Sequence, residues 1–178
     1  MPKPLYFHPF VDKTHYIGFG PKFLGNLPSA ISLHCVAPTF GKAKFKYAHS
    51  LGHDSFSRYT DNTHRIYVMG HCAPGLTCLS TETGRGQRGS CSFEQLADLF
   101  MLHGLPDTSQ VVIRIHACHS ASNNGHSESF AKRFKDEMIR RDYHGLTIQG
   151  YTVGVGAYLI NRWGELPFSS ANIHRSTV

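Results

Sequence analysis

The sequence predicts an α/β domain in which a central, mostly parallel sheet is covered by helices on both faces. Three observations carry this reading. From residue 65 onward the chain runs strand, helix, strand, helix, strand, the order that builds right-handed crossovers between parallel strands. Its 178 residues suffice for one hydrophobic core, so residues 1–178 are read as a single domain. Apolar residues make up 40% and charged residues only 17%, which excludes a charge-rich disordered segment.

The elements follow in order. Before residue 65 the chain is turn-rich, with short apolar runs at 30–36 and 44–48. Lys42, Lys44 and Lys46 alternate with Ala43, Phe45 and Tyr47, which puts three ammonium groups on one strand face. A charged edge strand that resists aggregation is one account of them, and a polyanion site is the other. Residues 65–70 (RIYVMG) form a short strand of β-branched and aromatic residues. After the loop through residues 75–90, whose stretch 84–89 is glycine-rich, Ser92-Phe-Glu-Gln95 makes a capping box. Phe93, Leu96, Ala97 and Phe100 then fall on one helical face. Residues 111–117 (VVIRIHA) are the second strong strand. A second helix spans about residues 127–143, with Phe130, Phe134 and Met138 as its buried stripe. Gly145 ends it, and residues 146–153 read as a third strand.

Several classes are disfavoured. No run of about 18 apolar residues is present, so no membrane helix is expected. Residues 1–20 carry Lys3, His8, Asp12 and His15 and lack an apolar core, so no cleaved Sec signal is expected. A cytoplasmic location, or export without such a signal, follows. Five cysteines (Cys35, Cys72, Cys78, Cys91, Cys118) form no disulfide framework. Histidine is abundant, 13 against 12 acids on a chain of formal charge +6. Yet the His116-x-Cys118 spacing suits zinc poorly, Cys-x-x-Cys and His-Glu-x-x-His are absent, and no metal is expected. No nucleic-acid motif appears. Residues 125–129 (GHSES) imitate a serine-hydrolase elbow but lack its final glycine, and read as a polar helix start.

In open parallel sheets, chemistry collects at the carboxyl ends of the strands. The first strong strand ends in Gly70-His71-Cys72, the second in Ala117-Cys118-His119. A thiol needs a base to become a thiolate, and neighbouring strands bring such a pair together. The separation of 118 − 71 = 47 residues is close to the roughly 50 found in caspase-like peptidases. His116 and His119 flank the thiol, where a nearby imidazolium would favour thiolate. Of the acids, only Asp12, Asp54 and Asp61 precede His71, and none sits in a recognisable motif that would orient it.

The paired motifs Arg65-Ile-Tyr-Val-Met-Gly-His71 and Val112-Ile-Arg-Ile-His-Ala-Cys118-His-Ser resemble the clan CD cysteine peptidases. That group includes caspases, gingipains and the self-cleaving protease domains of large bacterial toxins, which are the nearest in pattern. The resemblance covers about residues 65–155. It implies a caspase-like three-layer sandwich and a cysteine endopeptidase acting on polypeptide substrates through a thioester acyl-enzyme. Cys118 would be the nucleophile and His71 the base, with backbone N–H groups of Cys118 and Cys72 as the oxyanion hole. Where the family usually has glycine, this chain has Cys72. No cofactor is implied beyond an inositol polyphosphate activator, the ligand of the toxin domains. Two alternatives stand beside the peptidase: a non-catalytic binding or effector domain, and a thiol acyl-transferase or amidase using the same dyad. Loops at 75–90 and after residue 153 would select substrate, and Arg162 in the pocket would favour an acidic residue.

Overall fold

The structure, a computed structural model, describes residues 5–9, 44–47, 51–82, 88–153 and 175–178. Eight strands lie among them: β1 (Leu5–His8), β2 (Lys44–Tyr47), β3 (Arg65–Met69), β4 (Cys78–Glu82), β5 (Arg88–Ser92), β6 (Val112–His116), β7 (Thr147–Tyr151) and β8 (Arg175–Thr177). Two helices join them, α1 (Phe93–Leu102) and α2 (Phe130–Arg140). The main sheet has the order β2-β1-β3-β6-β7-β8. Its first five strands are parallel, and β8 is antiparallel to β7. Strands β4 and β5 form a separate antiparallel hairpin.

The three expected strands and both expected helices are present. The capping box is complete: Ser92 accepts from the Gln95 N–H, and the Gln95 side chain accepts from the Ser92 N–H. Ser129 caps α2 by accepting from the Lys132 N–H, so residues 125–129 are a helix start. The segment 75–90, expected as a loop, instead holds β4 and the start of β5. Leu79 and Cys91 are buried and face each other across the hairpin ladder, and the polar character of the sequence around them gave little signal. β1 also went unread, since four residues reading LYFH lack turn signals of their own. Lys44 and Lys46 take alternate positions of β2; the run at 30–36, Lys42, Cys35, residues 83–87 and residues 154–174 with Arg162 lie outside the described residues.

Both described helices cover the same sheet face. The crossovers β3 to β6 and β6 to β7 step the same way across the sheet, and a single hand then places both helices together. Phe100 of α1 meets Phe134 of α2 at 5.9 Å between ring centres. Below them, Ile66, Val68, Ile113, Ile115 and Ile148 make the sheet side of a continuous core that also takes Leu5, Phe7, Phe56 and Leu79. The opposite face mixes polar and apolar side chains, and Tyr67, Met69, Val112, Arg114 and His116 on it are also buried. Arg114 donates there to Gln149 Oε1 (2.8 Å) and to the Tyr67 hydroxyl (2.6 Å), one residue on each of three adjacent strands.

Candidate active site

β3 and β6 are neighbours, and their last rung pairs Met69 with His116. His71 and Cys118 each lie two residues beyond that rung. Both therefore leave the carboxyl ends of adjacent strands, whose spacing within the sheet is roughly 4.8 Å. Alternation carries His71 to the face of Tyr67 and Met69. That is the face turned away from the helices, and Cys118 packs against Tyr151 on it. Both residues are half-buried.

The backbone around His71 is held by the hairpin. Its N–H donates to the Ser80 carbonyl (2.7 Å), and its carbonyl accepts from the Ser80 N–H (2.9 Å). The neighbouring residue must then turn its peptide groups to the other side of the strand. At the start of β3 the His64 carbonyl accepts from Val112 of β6 (3.3 Å), so even-numbered residues of β3 address β6. The same parity points the Cys72 N–H toward the β6 side, and no hydrogen bond uses that N–H among the described residues. The Cys72 side chain goes the other way, against the helix-side core, and its thiol donates to the Ala73 carbonyl (3.4 Å). Burial pushes this thiol up to about 12, so it is no competing nucleophile at neutral pH. Among the described residues only His119 and Asp142 combine a side chain with positive φ. The Cys72 backbone thus does not need the conformational freedom of glycine.

The Cys118 turn is fastened to β7. The Ala117 N–H donates to Ile115 (3.0 Å), bending the chain out of the strand. His119 follows in the left-handed region (φ 54), its N–H donating to Val153 (3.0 Å). Its Nδ1 lies 3.2 Å from the Thr152 carbonyl, which can only accept, so the ring proton sits on Nδ1. Ser120 is fully buried: its hydroxyl donates to Ile115 O (2.8 Å) and accepts from Tyr151 N–H (3.1 Å). The Ser120 carbonyl accepts from Ala131 of α2 (2.9 Å). One residue therefore joins β6, β7 and α2 directly behind the thiol. It went unread because a serine in a polar loop carries no motif.

His116 does not supply the expected positive charge. It is 4% exposed, between the rings of Tyr67 and Tyr151, and Nε2 has no hydrogen-bond partner among the described residues. Burial, with the Arg114 charge adding to it, pushes its pKa down to about 4, so the ring is neutral at physiological pH. Asp61 does not orient His71 either. It accepts from Thr63 N–H (2.8 Å) and contacts His64 Nδ1 (3.1 Å) just before β3, a whole strand away from His71. Among the described residues no three of His, Cys, Asp and Glu gather as a metal site, and no helix is long and apolar enough to cross a membrane. The chain matches no family model, no curated protein and no solved structure.

Proposed function

We propose that the chain is a cysteine endopeptidase built on a caspase-like sandwich, with Cys118 as nucleophile and His71 as general base. One observation supports the reading: β3 and β6 are adjacent and parallel, and His71 and Cys118 each follow their last rung, Met69–His116, by two residues. His71 takes the Cys118 proton, and the thiolate attacks a peptide carbonyl. The tetrahedral oxyanion is met by backbone N–H groups of Cys118 and Cys72, the latter turned toward β6. Collapse expels the amine, protonated by His71, and leaves a thioester that water hydrolyses.

The test needs no known substrate. p-Nitrophenyl acetate acylates a competent thiol and releases p-nitrophenolate in a burst, while iodoacetamide reads thiolate reactivity alone. Wild type should show one acetyl on the Cys118 peptide. Cys118→Ala should abolish the burst, and His71→Ala should lower its rate on the order of 10²-fold or more. A peptide-library screen against Cys118→Ala then reports the cleaved bond, and added amines report acyl transfer. If Cys118 labels no faster than free cysteine and His71→Ala changes nothing, the enzymatic reading fails and a binding role replaces it.

A further inference from the structure

Gly75 is buried although Ala73, Pro74, Leu76 and Thr77 around it are exposed, and what covers it belongs to the Cys118 loop. A Cβ at residue 75 would lie 2.4 Å from Asn124 Cγ and 2.5 Å from its Nδ2, so the Asn124 side chain sits on the bare backbone. That side chain is exposed but tied in place. Its Oδ1 accepts from the N–H groups of His126 (3.0 Å) and Ser127 (2.7 Å). Two residues earlier, the Ser122 carbonyl accepts from the Gly75 N–H (3.0 Å). Gly75 also has φ +70, which side-chain-bearing residues rarely adopt. The loop leaving His71 and the loop leaving Cys118 thus meet in a hydrogen bond and a close packing contact at one point, four residues past one and six past the other.

We propose that Gly75 and Asn124 form a positioning clamp that sets the His71 ring against the Cys118 thiol. Neither residue touches the reacting atoms; both act through the loops they join. The proposal rests on the dyad reading above. It goes beyond it by naming what holds two residues from separate crossovers at a fixed separation, since a misplacement of about 1 Å lowers a rate on the order of 10²-fold.

The experiment is a double-mutant cycle on Cys118 alkylation by iodoacetamide at pH 7, with labelled peptides mapped by mass. Gly75→Ala should lower the rate roughly ten- to hundred-fold when His71 is present. In the His71→Ala background it should produce no further loss, because nothing remains to be positioned. Asn124→Ala should reduce the rate in the same His71-dependent way, whereas Asn124→Asp keeps both acceptor bonds and should stay within about two-fold of wild type. The Asn124 variants carry the test if Gly75→Ala does not fold. Equal losses with and without His71 overturn the clamp, as does a wild-type rate in Gly75→Ala. A wild-type rate insensitive to His71→Ala overturns the dyad itself and is told apart by that single variant.

Discussion

At His116 a buried ring nitrogen without a partner among the described residues makes stability depend on pH. The folded protein holds this ring neutral down to about 4, against an ordinary value of 6.5. Between those limits the unfolded chain binds the proton and the folded one does not, so stability falls as pH drops from about 6.5 toward 4. The full swing is up to roughly 3 kcal/mol. His116→Phe keeps the ring between Tyr67 and Tyr151, and urea titrations at pH 7 and pH 5 should show its stability losing less over that interval than the wild type. Cys72 allows a second test at the same scale. Cys72→Pro deletes the N–H turned toward β6, and should slow acylation by p-nitrophenyl acetate about 10²-fold while iodoacetamide alkylation changes little. The sequence named Cys72 as the departure from the resembled family. That its side chain points into the helix-side core follows from strand parity, which becomes legible only when His71 is seen bonded to Ser80.

The two helices were the most legible elements because each announces its own start and its own buried stripe. Ser92→Ala removes the cap acceptor while keeping the backbone N–H that bonds the Gln95 side chain, and should destabilise the protein by about 1 kcal/mol in thermal or urea unfolding. The ties between the helices were not legible, since they link residues more than forty apart. Arg141 of the α2 end donates to Asp98 of α1 (2.5 Å) and to Glu137 (2.7 Å). Glu137 is 8% exposed, and hydrogen bonds from Arg140 and then Arg141 hold its carboxyl down at about 2 despite burial. Its contribution is present above about 4.5 and is lost as pH falls toward 2. Glu137→Gln should therefore lower stability by about 1–2 kcal/mol at pH 7, a figure kept small because Arg140 is largely exposed, and the difference from wild type should vanish in acid. The hairpin strands and β1 escaped reading for the opposite reason: short strands with one or two inward residues have no period long enough to register.

Across the whole molecule, the parallel order of the three strong strands was readable, because strand–helix–strand alternation admits few topologies. The order also bears on where the proposed site lies. From β1 the chain moves out to β2 and returns to β3 on the other side of β1, so the connections reverse direction at the β1/β3 boundary. Crevices open at the carboxyl ends beside such a reversal, and His71 leaves the sheet there. What no one-dimensional pattern records is how the second site loop is built in. Loops that carry chemistry are commonly the parts of a domain that open first. Here Ser120 accepts or donates across β6, β7 and α2, and Ala121 N–H reaches Tyr151 O (2.9 Å). In hydrogen exchange, the amides of Ala121, Ala131 and Tyr151 should then exchange with the slowest class, through global unfolding alone. Denaturant that has not yet unfolded the core would leave them closed, and the backbone behind the thiol would be among the last parts to open.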